Sequence, residues 1–521
     1  MVTTTFYSMN LAMLLDLPSM IVPDEVVVVD ADGREITYGE LRMNVAQAAG
    51  MLLSLGVEPG DRVGVLSTNR VEMIDMIFAT AFVGGTTVPM NYRAGVDEAR
   101  HLLVDSGAKV LVAENRYRAL LEPLRPASLT SLLYFDDGSY ADALAAADPA
   151  EEICDVEDDE LAALLYTSGT TSLPKGVMLK HGALTGYVMG SNDAADGTSR
   201  GRQLMAAPLY HIAGITSLLN ALYSGRQTAL MPQFEAGAWL EAVGRHHITN
   251  AFLVPTMLAR LLDDAAFPTA KLDSLDSVTY GAAPMPPSVI RRAIEAFPKT
   301  VSFAGAYGQT ETTSTVAVLD PDDHRIWEGT TQEQETKLRR LRSVGRVLED
   351  VVLRVVGPEG DELPPNTPGE VWLQTFRAMD GYWGAKEKTR VTIDTEGWVH
   401  TGDMGFVDED QYLFLVGRAG DMIIRGGENI APDEVEAVLY EHPDVLEAGV
   451  VGVPDETWGE TVAAAVVLRE GAAGLDAIAE HCRSKLASFK RPDKLVAMDE
   501  LPRTSTGKLL RRSLLPLLAD K

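Results

Sequence analysis

The feature that most narrows the fold is a repeated switch between short β-branched runs and stretches with helical apolar spacing. Residues 38–55 place Leu41, Val45, Ala48, Ala49 and Leu52 on one helical face. Thr37 stands three residues before Glu40, the spacing of a capping box. Pro59-Gly60-Asp61 turns the chain into a β-branched strand over 62–66. Residues 71–83 read as a second helix ended by Gly84-Gly85, and 109–113 as a further strand. Strands alternating with helices imply βαβ units around mostly parallel, buried sheets. The pattern runs to about residue 339.

With 521 residues the chain exceeds what one core usually serves, so several domains are expected. Residues 141–160 are acidic and alanine-rich and read as a surface segment before a short buried strand at 161–167. Strand-like runs at 351–357, 369–375 and 412–416, separated by turn residues, predict a small β-rich subdomain. Residues 417–421 read as a junction. Beyond them come a helix at 432–440, strands at 448–453 and 461–468, and a helix at 475–486. That is a compact α+β domain of about 100 residues.

The formal charge of −30 argues against a nucleic-acid partner. Anionic ligands would need cations supplied locally. The two cysteines, Cys154 and Cys482, imply no disulfide framework and fit a reducing compartment. Residues 1–22 lack the basic region of a signal peptide, and no apolar run reaches the roughly 18 residues of a membrane span. A cytoplasmic location is expected; homodimerisation stays open.

The first chemistry lies in Tyr166-Thr167-Ser168-Gly169-Thr170-Thr171-Ser172-Leu173-Pro174-Lys175-Gly176. Converging backbone N–H groups, hydroxyls and a cation are what phosphate binding needs. This is not a Walker A loop, because Lys175 precedes the second glycine. The segment resembles the signature of the adenylate-forming superfamily, which includes acyl- and aryl-CoA synthetases, luciferase and peptide-synthetase adenylation domains. Ser172 stands where that signature usually has glycine.

Further motifs resemble the family's in the same order. Pro208-Leu209-Tyr210-His211-Ile212-Ala213-Gly214 is similar to the segment lining the acyl pocket, with His211 at its wall. Gly281-Ala282-Ala283-Pro284 is similar to the adenine-flanking loop, where small residues admit a flat ring. Ala306-Tyr307-Gly308-Gln309-Thr310-Glu311 resembles the motif in which Tyr307 would stack on adenine and Thr310 would contact the α-phosphate. Glu311, with Thr170, would hold Mg²⁺. Asp403, followed fifteen residues on by Arg418, resembles the ribose-binding pair. Arg425-Gly426-Gly427-Glu428-Asn429 has the form typical of CoA ligases. Trp458 and Phe489-Lys490-Arg491 would sit nearby, with Arg491 toward the CoA phosphates. Pro502-Arg503-Thr504-Ser505-Thr506-Gly507-Lys508 resembles the C-terminal catalytic segment, in which Lys508 would bridge α-phosphate and carboxylate.

The resemblance therefore implies a large α/β N-terminal adenylation domain over 1–417, with two βαβ-type sheets and a β-rich subdomain. A hinge at 418–421 and a mobile α+β domain over 422–521 would follow. Gly420 stands where a charged hinge residue is usual. It implies an ATP-, Mg²⁺- and CoA-dependent acid–CoA ligase working through an acyl-adenylate. The pocket candidates His211, Ile212, Phe252, Leu253 and Phe303 point to a fatty or other hydrophobic acid. No extra arginine lies in these segments, which disfavours a dicarboxylate. An aryl acid, a carrier-protein acceptor and a non-catalytic nucleotide-binding protein are the alternatives.

Overall fold

The structure, a computed structural model, describes residues 9–167, 173–503 and 509–519. Two mixed sheets form the larger part. The first has seven strands, in which Arg62–Leu66, Thr86–Met90, Val110–Ala113 and Ser131–Tyr134 run parallel. The second has nine, centred on parallel strands Arg202–Met205, Gln227–Leu230, Asn250–Leu253, Ser277–Gly281 and Ser302–Gln309. The parallel cores match the alternating pattern, while hairpins add antiparallel strands at the edges.

The expected capping box is present at the helix Tyr38–Ser54: Thr37 accepts from the Glu40 N–H, and the Glu40 carboxylate accepts from the Thr37 N–H. That helix and the helix Val71–Phe82 bury Leu41, Leu52, Ile74 and Phe78 against the first sheet. A second apolar core gathers Trp239, Leu253, Val278 and Phe303 behind the nine-stranded sheet. The β-rich segment is a four-stranded antiparallel sheet of Val352–Val356, Gly369–Gln374, Val399–Val407 and Leu413–Arg418.

Residues after 422 build their own sheet, and its strands alternate with period two. In Gly459–Leu468, Val462, Ala464 and Val466 pack toward the helices Pro432–Tyr440 and Leu475–Lys485. Ala463, Ala465 and Val467 pack toward Arg511–Ala519. A strand that the sequence did not signal, Lys494–Ala497, joins this sheet in parallel with Gly459–Leu468. Arg469 bridges to Asp263 on the helix Pro255–Asp263 at 2.7 Å, and Arg292 holds the same carboxylate at 2.7 Å. No helix among the described residues is long and apolar enough to cross a membrane.

Candidate active site

Leu161–Thr167 and Lys175–Lys180, the segments on either side of the expected phosphate loop, pair as antiparallel strands, with Thr167 opposite Lys175 and Tyr166 opposite Gly176. A Cβ at Gly176 would stand 2.8 Å from Leu164 Cδ1 and 3.2 Å from Tyr166 Cζ, so a larger residue there would force the hairpin's own side chains to shift. The Tyr166 hydroxyl donates to Asp105 at 2.7 Å, and His101 Nε2 bonds the Pro174 carbonyl at 2.7 Å. Both ties fasten the hairpin base to the helix Val96–Ser106. Ser168, Gly169, Thr170 and Thr171 lie outside the described residues.

Lys175 directs its ammonium over the ring of Tyr382, 4.8 Å from the centroid, and the Tyr382 hydroxyl donates to Glu311 at 2.8 Å. Burial lowers the Lys175 pKa, and repulsion from Lys388 adds to that. Tyr382, which the motifs did not single out, thus connects the phosphate hairpin to the Glu311 turn. No group of three or more His, Cys, Asp or Glu gathers as a metal site among the described residues. One carboxylate completed by phosphate oxygens is a fitting arrangement for Mg²⁺.

Glu311 and Thr310 occupy a 3-10 turn after the strand Ser302–Gln309. Beneath it lies Arg377, 1% exposed, which no motif singles out. Its guanidinium pairs with Asp350 through two contacts, at 2.7 and 3.0 Å, and donates to the Thr313 and Thr315 carbonyls. The Met379 N–H donates to the Glu311 carbonyl at 2.9 Å. The turn is therefore held from below by a buried guanidinium paired with a solvent-accessible carboxylate.

Asp403 and Arg418 face each other across neighbouring strands, with Arg418 Nε 2.9 Å from Asp403 Oδ1. Tyr307 and Gln309 donate to Oδ2 at 2.6 and 2.7 Å. Next to this cluster the strands Ser277–Gly281 and Ser302–Gln309 approach so closely that a Cβ at Gly281 would lie 2.3 Å from the Ala306 carbonyl oxygen. Ala282 follows with φ at +66°, a left-handed conformation that costs a non-glycine residue about 1–3 kcal/mol.

His211 caps the helix Ile212–Ser224, its Nδ1 accepting from the Ala213 N–H at 3.2 Å. Gly214 is demanded by the Pro208 carbonyl, 2.1 Å from where a Cβ would be. The segment before it is clamped by Asn69, another residue missed from sequence. The Asn69 amide donates to the carbonyls of Met205, Ala207 and Met231 and accepts from the Leu209 N–H.

These groups surround two adjoining clefts, of about 1700 and 880 Å³, that share Ala306, Gly308, Gln309 and Arg418. Gly281, Ala282, Ala283, Pro284, Tyr307 and Asp403 line the larger. Thr167, Lys175, His211, Thr310 and Glu311 line the smaller. Phe252 and Ile212 line it too. Leu253 and Phe303, expected in the pocket, are instead buried in the second core, where Phe303 packs edge-on against Phe297 at 5.5 Å. Strand alternation is the reason: Phe252 and Thr279 face the cleft, so Leu253, one residue on, faces away.

Gly427, Glu428, Trp458 and Arg491 do not line either cleft. The strands Ile423–Arg425 and Glu428–Ile430 join through Gly426 and Gly427, both at positive φ, as a two-residue hairpin requires. A Cβ at Gly426 would meet Trp458 at 2.9 Å, so these residues form one surface away from the clefts. Arg491 spends its guanidinium on the Leu486 and Arg483 carbonyls. Lys508 lies outside the described residues. Its flanks, Arg503 and Leu509, pair as an antiparallel bridge and line the larger cleft.

Residues 21–383 match the family described as AMP-binding enzyme, and 434–508 match the AMP-binding enzyme C-terminal domain. The chain is 36% identical over 481 residues to feruloyl-CoA synthase of an Amycolatopsis species, covering 92% of this chain and 93% of that one. It is 34% identical over 488 residues to the fatty acid–[acyl-carrier-protein] ligase ScoC of Streptomyces coeruleorubidus, covering 93% and 92%. The crystal structure of ATP-bound MatB from Rhodopseudomonas palustris superposes with a TM-score of 0.87 at 30% identity, covering 98% of this chain and 99% of that one. This chain belongs to the AMP-binding enzyme family. It is an AMP-forming acid–thiol ligase of the adenylate-forming type, working with ATP, Mg²⁺ and CoA.

Proposed function

We propose that the enzyme converts an aryl carboxylic acid to its CoA thioester. The observation carrying this reading is the depth and floor of the smaller cleft. Gln203, Asn250 and Ser277 sit in one register row across three strands and line it together. Ser302, in register with Ser277, lies four residues before Ala306. At about 3.3 Å per residue the cleft runs roughly 13 Å from Ala306 to that row. A ring with a short spacer fits that length. A fatty chain would bring its methyl end against this polar floor and bury the hydrogen-bonding capacity it has left, such as the Ser277 hydroxyl hydrogen. The similarity to a feruloyl-CoA synthase supports the same choice.

In the first half-reaction the acid's carboxylate oxygen attacks the α-phosphorus of ATP in line and pyrophosphate leaves. This chemistry needs positioning and charge neutralisation more than acid–base groups. Asp403 accepts the ribose hydroxyls, Tyr307 packs on adenine, and Gly281 to Pro284 leave room for its edge. Thr310 and Lys175 bind phosphate oxygens, and Lys508 holds the α-phosphate against the carboxylate. Glu311 would hold Mg²⁺, which when bound would supply neutralising charge to the phosphates. In the second half-reaction the CoA sulfur attacks the acyl carbon and AMP leaves.

Gly427, Glu428, Trp458 and Arg491 reach the cleft only if the C-terminal part turns about residues 418–421. A Cβ at Gly420 would meet nothing within 4 Å, so the turn there is sterically open. For Arg491 the CoA role also requires that it give up its two carbonyl partners. The test is AMP release measured across aryl acids and straight-chain acids of graded length, with CoA and with a carrier protein as acceptor. CoA-dependent release greatest with aryl acids is expected. Preference for long straight chains overturns the aryl reading, and turnover only with the carrier protein overturns the CoA acceptor.

A further inference from the structure

Resting on that reading, we infer that the far end of the acid cleft binds a second carboxylate on the substrate, with Arg226 as its principal partner. The polar floor is unequal in its hydrogen bonding. Gln203 is satisfied: it donates to Thr228 and to the Ser217 carbonyl, and accepts from the Ser217 hydroxyl. Asn250 donates to Ser277 Oγ at 2.7 Å and accepts from Thr249 at 2.6 Å. What remains is almost entirely donors. The Asn220 oxygen accepts from Asn192 at 2.7 Å, which leaves its amide nitrogen with no acceptor among the described residues. Ser277 accepts from Asn250 and donates to none of the described residues. Among the described residues only Nε of Arg226 is used, on the Arg200 carbonyl at 3.2 Å, leaving both terminal nitrogens.

Arg226, Asn220 and Ser277 all line the smaller cleft. Arg226 precedes the strand Gln227–Leu230, two residues before Thr228, and so shares the face of the Gln203 row. Among the described residues no carboxylate lies within ion-pair distance of it, although the chain carries a formal charge of −30. Burial lowers its pKa, and repulsion from Arg200 lowers it further. A partly desolvated cation without a counter-ion is costly. A guanidinium with two free nitrogens, flanked by an amide N–H and a hydroxyl, matches the acceptor-only, forked geometry of a carboxylate. The motif segments contain no such arginine; Arg226 comes from outside them and is brought in by the parallel register.

The experiment compares a cinnamic acid bearing a para carboxylate with the same acid methyl-esterified at that position. The native enzyme is expected to favour the diacid by about tenfold or more in kcat/KM, the size of one charge-assisted hydrogen bond. Arg226→Gln should abolish that preference by raising KM for the diacid, with kcat and the ester's KM little changed; Arg226→Lys should restore part of it. Equal use of both acids by the native enzyme, or an equal loss on both in Arg226→Gln, overturns the inference and leaves the aryl reading standing. If neither aryl acid releases AMP while straight-chain acids do, the aryl reading fails. Suberic acid and its monomethyl ester then decide Arg226 by the same ratio.

Discussion

The Tyr307 hydroxyl donates to Asp403 Oδ2 at 2.6 Å, across 96 positions of sequence. Burial raises the Tyr307 pKa well above its ordinary value, and the Asp403 charge raises it further, so the phenol stays a donor at neutral pH. One residue expected to stack on adenine thereby also fixes the carboxylate expected to take the ribose. Gln309 and Arg418 complete the hold.

Asp403→Ala removes the acceptor shared by those three donors in a site where Asp403 is only 6% exposed. Stability should fall by more than any one of these hydrogen bonds contributes, about 1.5–3 kcal/mol for a bond to a charged group, while Arg418, 38% exposed, can turn to water. Calorimetry should show ATP affinity falling at least about tenfold. Tyr307→Phe should cost less, about 1.5–3 kcal/mol for one hydrogen bond to a charged group. Unchanged ATP affinity in Asp403→Ala would remove it from the ribose site.

Arg377 and Asp350 should behave as a coupled pair. Arg377→Met leaves the carbonyls of Thr313 and Thr315 without their donor, while Asp350, 31% exposed, can turn to water, so about 1–3 kcal/mol should be lost in urea unfolding. A double-mutant cycle with Asp350→Asn should give a coupling of about 0.5–3 kcal/mol. Strict additivity would mean that the pair does not act together.

Asn69→Ala leaves the Ala207 and Met231 carbonyls and the Leu209 N–H without that partner, at about 1–3 kcal/mol per orphaned buried group, while the Met205 carbonyl keeps the Met231 N–H. Because the clamp holds the segment leading to His211, the KM for the acid should rise more than the KM for ATP. A uniform loss in both would make Asn69 purely structural.

Lys508→Ala should suppress adenylate formation by about 100-fold or more while largely sparing thioester formation from synthetic acyl-AMP and CoA. Stopped assays of each half-reaction separate the two. Equal losses would refute the assigned role.

Two buried histidines predict an acid limb. His181 accepts the Leu11 N–H, and His324 lies between the Tyr280 hydroxyl and the Asp320 carbonyl. Burial pushes each pKa down to about 4 from an ordinary 6.5. The folded state thus favours the neutral rings, so stability is full above about pH 6.5 and falls as the pH drops toward 4. Each should contribute a slope of up to about 1.4 kcal/mol per pH unit in that window, read from urea midpoints. A flat profile between pH 7 and 5 would contradict this.

Much of the scaffold was legible without coordinates. The capping box at Thr37 and Glu40, the strand leading into the phosphate loop, and the order of motifs through Asp403 and Arg418 are local patterns, written in residues a few positions apart. Such signals depend on backbone geometry that a short segment dictates for itself. The side of a strand was harder: Phe252 and Leu253 are equally apolar, and only the register of the sheet assigns one to the cleft and the other to the core. Asn69 reaching Ala207 and Leu209, and Arg377 reaching Asp350, join residues between 27 and 140 positions apart.

By itself, then, the sequence determined the class of chemistry, because phosphate, ribose and acyl recognition each leave a contiguous motif. Tertiary structure alone decided what supports those motifs and what closes the acid cleft. Hydrogen bonds and charge pairs across parallel strands depend on which strands become neighbours, and burial by the whole fold decides which of them matter. Arg226 shows the difference: an isolated surface-like arginine in the chain, it becomes an uncompensated cation lining the acid cleft once the sheet is assembled.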